Sequence, residues 1–261
     1  MPREVSVALD PHVHSDGSYD GHEPVERLLE RAVEVGLDGI VVTDHDTIEQ
    51  SLRAAELAPQ YGLVGIPGVE VSTAQGHLLA IGVEACPKPG RSFADTVDVV
   101  REMGGVAVVP HPSQRTRHGV RRRHVEDCDA VEVYNAWVFT GYRNRRARRF
   151  AATSDYPGIA ASDAHSAAYV GRAYTELLLE VESLDDLTAD RIVAELAADG
   201  ATVAGRRQPL WRSTSHYVSC TGRKARGAVG PRRPSLRTVG ALAGTVVAGR
   251  LARAGLAQLR S

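Results

Sequence analysis

The sequence predicts an α/β domain in which repeated strand–helix units curl a mainly parallel sheet into a closed or nearly closed barrel of about seven strands. Three observations carry that expectation. Strand-like runs alternate with helix-period stretches through the first 205 residues. Several runs, GIVVT and VAVVP among them, are continuously apolar and β-branched, as strands covered on both faces are. Polar clusters follow many of the runs rather than only two, which suits a barrel better than a doubly wound sheet with one switch point.

The elements follow in order. EPVERLLERAVEVG reads as a helix with Pro24 in its first turn, Val25, Leu28, Leu29, Ala32 and Val33 on one face, and Gly36 as its stop. GIVVT is the next strand, then helical TIEQSLRAAELA, then strand LVGIPGVEVS. After strand HLLAIGV, helical SFADTVDVVREMGG leads into VAVVPHP. Strand DAVEVYN, helical YRNRRARRFAA and strand GIAASDAH come next. AYTELLLE is the last long strand, followed by a helix from Ser183, a good N-cap, to Asp199 and by short ATVAG.

After Gly205 the composition shifts to Arg, Gly, Ser and Pro, which places a domain boundary between residues 1–205 and a basic tail, 206–261, with room for one terminal helix. The net charge of −1 conceals this: the tail carries 12 of the 31 Lys and Arg and no acid, leaving 19 bases against 32 acids before it. Such a tail suits nucleic-acid phosphates, an anionic lipid surface, or simple solvation. Its uncharged stretch TVGALAGTVVAG has 12 residues, short of the roughly 18–20 that cross a bilayer, so no integral membrane segment is expected. No signal peptide is read in MPREVSVALD, and Cys86, Cys128 and Cys220 form no CxxC pair, so buried, reduced thiols and a cytoplasmic setting are expected.

The chemistry begins in DPHVHSDGSYDG. His12 and His14 stand at i and i+2, on one face of a strand and about 7 Å apart at their Cα atoms, so both rings can reach one ion. Further strands end alike: GIVVT in Asp44, His45 and Asp46; LVGIPGVE in Glu70, with His77 opening the next strand; VAVVPHP in His111; GIAASDAH in Asp163 and His165. Strand after strand delivers imidazole or carboxylate to the end where barrel sites lie. That pattern points to a metal site.

These segments, DPHVHSDGSYDG, TDHD, GVE, GHLL, PHP and SDAH in this order, resemble the polymerase and histidinol phosphatase (PHP) superfamily over about residues 8–180. The resemblance implies a distorted TIM-like barrel of seven β/α units with a trinuclear metal cluster at its C-terminal face. It implies a first ion on His12, His14, Glu70 and Asp163, a second on Glu70, His77 and His111, and a third on Asp20, His45 and His165. Asp20 and Asp16 each precede a glycine, and the distance from His14 favours Asp20. Glu70, Asp163 and His165 are the residues expected to serve catalysis. Asp44 is expected to orient His45 or a neighbouring ligand. Asn135, at a strand end, is expected to bond substrate or a ligating group. His22, His118, His124 and His216 are read as lying outside the site.

Mixed imidazole and carboxylate donors suit two or three divalent ions of Zn, Mn or Fe rather than an all-oxygen Ca or Mg cage. Such ions neutralise phosphate charge and lower the pKa of a shared water, so a metal-bridging hydroxide would serve as nucleophile. The proton for the leaving oxygen is left open between a metal-bound water and His165. Arg115 and Arg117, in the loop after His111, and Arg172 are candidates to hold phosphate oxygens with their planar forks, beside the plainer reading that they are solvated surface charges.

The function expected is hydrolysis of a phosphomonoester or of a nucleotide or oligonucleotide phosphodiester, in the manner of a nucleotide phosphatase or a 5′–3′ exonuclease, with a small, nucleotide-like substrate. The alternatives are a histidinol-phosphatase-like phosphatase, an amidohydrolase-like hydrolase and a non-catalytic scaffold module. The amidohydrolase reading wants a lysine at a strand end, and neither Lys88 nor Lys224 stands at one. The scaffold reading wants lost ligands, and all nine are present. The nucleotidase and exonuclease branch carries a helical insertion between its GHLL-like and PHP segments; here only 33 residues lie between His77 and His111, so the site is expected to be more open.

Overall fold

A computed structural model describes residues 3–112, 118–125, 127–137, 141–183, 187–198 and 201–205. Arg115, Arg117, His216 and the whole of 206–261 fall outside the described residues.

The strands are β1 (Arg3–Val13), β2 (Gly39–Val42), β3 (Val64–Gly65), β4 (Gly68–Thr73), β5 (Gly76–Ile81), β6 (Val106–Val109), β7 (Ala130–Asn135), β8 (Gly158–Ala161), β9 (Ala173–Val181) and β10 (Thr202–Gly205). The helices are α1 (Val25–Glu34), α2 (Glu49–Leu57), α3 (Phe93–Glu102), α4 (Gly141–Ser154) and α5 (Ala189–Leu196). They form a mixed α/β fold of two five-stranded sheets, ordered β10-β9-β1-β2-β3 and β4-β5-β6-β7-β8. The described strands make no single closed ring.

Strand direction departs from the expected β/α repeat. β1, β2 and β3 run parallel, as do β6, β7 and β8. In contrast, β5 is antiparallel to both β4 and β6, and β9 to both β1 and β10. The reason lies in connection length. Only Ala74 and Gln75 separate β4 from β5, enough for a hairpin and far too few for the crossover a parallel pair requires. Gly76, paired with Thr73, takes φ 141°, a conformation glycine alone adopts comfortably. Pro67 likewise stands between β3 and β4, dividing what reads in sequence as one strand.

The inner faces of the two sheets meet in a core of Val7, Leu9, Val41, Leu79, Ile81, Val108 and Ile159. Val25, Leu28, Leu29 and Ala32 of α1 cover the outside of the first sheet, and Phe93, Val97 and Val100 of α3 with Phe150 of α4 cover the outside of the second. Val33 does not join them: it is 48% exposed, on the far side of α1 from the sheet. The last helix is described over Ala189–Leu196, where Thr188 accepts a hydrogen bond from Arg191 N as its N-cap, a role expected of Ser183.

Two seams join the sheets next to the strand ends. At one, His14 N donates to Ala164 O (2.8 Å), and the buried Asp10 carboxylate accepts from Ser162 N and Gly171 N, both at 2.9 Å. Burial pushes the Asp10 carboxyl up to about 6, against those hydrogen bonds. At the other, His45 bridges Glu70 as in a parallel ladder, with Asp46 N donating to Glu70 O at 3.0 Å. No helix among the described residues is long and apolar enough to cross a membrane.

Candidate metal centre

Two β-bulges aim the side chains. Along β1, Leu9 pairs with Gly39, Asp10 with Ile40 and Val13 with Val42, so β1 carries one residue more than its neighbour. Strict alternation from Leu9 would turn His12 and His14 outward. The extra residue instead sets them on the inner side and sends Val13 into the outer core with Val25 and Leu28. β7 repeats the device between Glu132 and Tyr134, which brings Asn135 round to the side of Glu132. His111 and Asp163 close the arrangement from tight turns, at φ 30° and 52°. Such backbone is uncommon outside glycine and collects at functional sites.

All nine candidate ligands come together and are buried or nearly so. Glu70, 1% exposed, lies at the centre. Its Oε1 is 2.7 Å from His77 Nδ1 and 3.0 Å from His111 Nε2; its Oε2 is 3.2 Å from His45 Nδ1, 3.4 Å from His14 Nε2 and 3.5 Å from His12 Nε2. Asp20 Oδ2 stands 3.2 Å from His45 Nε2 and 3.5 Å from His165 Nε2, while Asp16 is exposed. Asp163 Oδ1 is 3.5 Å from His12 Nε2 and 3.3 Å from His14 Nε2.

The donor set fits divalent cations. A tetrahedral ion about 2.0–2.1 Å from four N or O atoms needs them roughly 3.3 Å apart. His12 Nε2, His14 Nε2, Glu70 Oε2 and Asp163 Oδ1 are separated by 3.1–3.5 Å along the five edges that join the two imidazoles to each other and to both carboxylates. Nδ1 of His45, the ring nitrogen turned toward Glu70, is buried without a hydrogen-bond partner, an uncommon state for a polar atom in a folded interior. Five overlapping triads of potential donor atoms, each within 4.8 Å, share members and make one continuous cluster. The triads include His12–His14–Glu70; they do not include His77–His111–Glu70 or Asp20–His45–His165, whose atoms meet pairwise at Glu70 Oε1 and Asp20 Oδ2.

Electrostatics follow from this crowding. Burial opposes charge on His12, yet Asp163, Glu132 and Glu70 outweigh it and hold its pKa well above the usual value. His45 is raised to about 9 by Glu70 and Asp20 against the same penalty. His14, desolvated and beside His165, falls to about 4. Glu70 and Asp163 are lowered: burial would raise them, and the surrounding imidazoles prevail.

Around the cluster stand residues that sequence reasoning passed over. Glu132, 1% exposed on β7, accepts from His12 Nδ1 (2.7 Å), His111 N (2.6 Å) and Asn135 Nδ2 (2.9 Å). A lone carboxylate in the apolar run AVEVYN was its only sign. Asn135 also donates to Asp163 Oδ2 at 3.1 Å, so it touches a candidate ligand. The Asp44 carboxylate takes Ser15 N (2.7 Å) and Ser15 Oγ, fixing the chain just after His14. His118, read as a surface residue, sets Nδ1 2.9 Å from His77 Nε2. Trp137 stacks on His165 and Tyr19 on His45, with ring centroids 4.6 and 4.9 Å apart. Arg172 is not brought to the cluster. It lies over the Tyr169 ring and lines a separate cleft of about 400 Å³ with Arg31, Tyr174 and Gly205.

Comparison with known proteins finds partial matches. A family model described as PHP-associated matches residues 141–191. An uncharacterized protein of Methanocaldococcus jannaschii is 29% identical over 149 residues, 53% of this chain and 87% of that one. A phosphoribosyl 1,2-cyclic phosphate 1,2-diphosphodiesterase of Eggerthella lenta is 37% identical over 81 residues, and the 5′-3′ exoribonuclease Rnm of Salmonella typhimurium 34% over 94. The matches cover 29% and 34% of this chain and only 30% and 32% of those two proteins. Among solved structures, a two-domain Bacteroides vulgatus protein containing a predicted PHP-like metal-dependent phosphoesterase superposes with a TM-score of 0.63 at 20% identity, over 83% of this chain and 71% of that one.

Proposed function

We propose that this chain, a member of the PHP superfamily, hydrolyses phosphate esters with the help of two or three divalent cations. The observation that carries the reading is the convergence of five imidazoles on the two oxygens of one buried carboxylate, Glu70. His12, His14, Glu70 and Asp163 would hold one ion, Glu70, His77 and His111 a second, and Asp20, His45 and His165 a third. Bound there, such ions neutralise phosphate charge and make a water acidic enough to attack at neutral pH.

The chain's own residues do the rest. Glu132 keeps a proton on His12 Nδ1 and so turns the Nε2 lone pair inward. Asn135 holds the second oxygen of Asp163, leaving Oδ1 toward the histidines. His165 donates Nδ1–H to Asp163 O (2.8 Å), which leaves Nε2 toward Asp20. The two seams that join the sheets at the site support kinship with a seven-unit barrel. Between His77 and His111 the only helix is α3, which supports an open mouth and a substrate reaching in from solvent. Nucleotides and short oligonucleotides are the favoured substrates, with Arg115 and Arg117 as candidate phosphate contacts.

The test is a panel assay of metal-reconstituted protein on nucleoside monophosphates, 3′,5′-bisphosphates, histidinol phosphate and single-stranded oligonucleotides. Turnover of at least one, abolished by Glu70→Gln, is the expected result. No turnover on any, or full activity in the variant, overturns the proposal.

A further inference from the structure

Helix α4, GYRNRRARRFAATS, contains five arginines and no acid. Asn144, Ala147, Phe150 and Ala151 face the protein, leaving Arg145, Arg146, Arg148 and Arg149 exposed and Arg143 half-buried. Arg122 lies over the Phe150 ring and donates to Thr153, so the turn carrying exposed Arg121, Arg122 and Arg123 packs against the same helix. Four arginines elsewhere are matched: Arg27 and Arg31 with Glu34, Arg53 with Glu26, Arg101 with Asp127 and Asp129. Among the described residues none of these eight forms an ion pair with a carboxylate. Eight like charges held together with no carboxylate paired to them among the described residues are electrostatically costly, and an external polyanion relieves that cost.

The buried face of α4 is tied to the metal centre. Asn144, between Arg143 and Arg145, exchanges hydrogen bonds with the Asn135 backbone, accepting from N at 3.3 Å and donating to O at 3.1 Å. Asn135 in turn bonds Asp163. At the other end, the Arg121–Arg123 turn follows His118, whose ring touches His77. Tyr142, 64% exposed in the first turn of α4, lies 5.8 Å from the Arg146 guanidinium and offers a face on which a base can stack.

We propose that α4 and the 121–123 turn form a docking surface for single-stranded nucleic acid, its phosphates on the arginines and a base against Tyr142, leading the strand to the metal centre. The surface rests on the phosphoesterase reading only for where the strand leads, so it is tested without catalysis. Full-length protein in EDTA is titrated into a fluorescent 12-mer, and anisotropy is followed from 50 to 200 mM salt.

Replacing Arg145, Arg146, Arg148 and Arg149 together with glutamine is expected to weaken binding at least about tenfold and to flatten the log–log salt slope by about 2–3, near 0.7 for each lost phosphate contact. The corresponding lysine variant keeps most of the binding. Tyr142→Ala weakens the 12-mer but not inorganic polyphosphate of equal charge. The proposal is overturned if the glutamine variant keeps the wild-type Kd and slope, since binding then belongs elsewhere, as in 206–261. It is also overturned if polyphosphate or anionic vesicles compete as strongly as the 12-mer and Tyr142→Ala changes nothing. Hydrolysis of a small chromogenic phosphate ester by the metal-loaded glutamine variant should match wild type, so loss of the surface and loss of the metal centre are read separately.

Discussion

Glu132→Gln keeps the size of a side chain that touches no proposed substrate, yet it should damage the metal centre. The carboxylate accepts from three donors, His12 Nδ1 at 2.7 Å, His111 N at 2.6 Å and Asn135 Nδ2 at 2.9 Å. A carboxamide has one accepting oxygen and one donating nitrogen. With its oxygen toward His12, its NH2 faces the N–H of His111 and the amide of Asn135. With its oxygen toward those two, its NH2 faces His12 Nδ1, which must give up its proton and place it on Nε2, the atom turned toward Glu70 and Asp163. One arrangement leaves buried donors opposed, at about 1–3 kcal/mol; the other removes a lone pair from the candidate ion. Partners behind a ligating histidine usually govern about 10–100-fold in metal affinity, or about 1.4–2.7 kcal/mol at 1.36 kcal/mol per decade. Half-saturation of activity by Mn or Zn should therefore move up by that factor, with kcat largely recovered at excess metal. An unchanged half-saturation point in a folded variant would refute the reasoning.

Three further outcomes are expected. In the ion-free protein His45 keeps its proton up to about pH 9, so metal binding at pH 7.5 should release protons and strengthen as pH rises toward 9; calorimetry in buffers of different ionisation enthalpy would show no buffer dependence if this were wrong. Chelation should lower Tm in a concentration-dependent way, because bound metal stabilises by mass action, and an equal Tm with and without EDTA would argue against a resident ion. Gly76→Ala should cost about 1–3 kcal/mol from its backbone angle alone, since φ is 141° and an added Cβ would lie 2.8 Å from Val120 N; a denaturation midpoint equal to wild type would contradict it.

The cluster was legible in part because chemistry that needs convergence leaves residues such as His45, His111 and Asp163 at strand ends, where an apolar run halts; Asp20, in the loop after β1, was expected as a ligand only from the family resemblance. How they converge was not legible. An HxH pair on a plain strand explains a shared face, but the bulge that chooses the inner face appears only once β1 is registered against β2. Glu132 was hidden for the opposite reason: one acid within AVEVYN looks like an exposed position of an alternating strand, and only the tertiary fold places His12 and the His111 backbone beside it. His118 and Trp137 belong to connections after β6 and β7, whose paths no local pattern dictates. The antiparallel turn of β5 was readable in principle from the two residues that separate it from β4. The regular β/α rhythm on either side masked it. Helix α4 was recognised as helical, but the absence of carboxylates around its arginines is a property of the folded surface.

The most direct measurement is anomalous diffraction from crystals of protein purified without chelator, recorded on both sides of the zinc and manganese edges. At least two peaks are expected within bonding distance of Glu70, one of them shared by His12, His14 and Asp163. A cluster without anomalous density in crystals soaked with excess zinc and manganese would contradict the account.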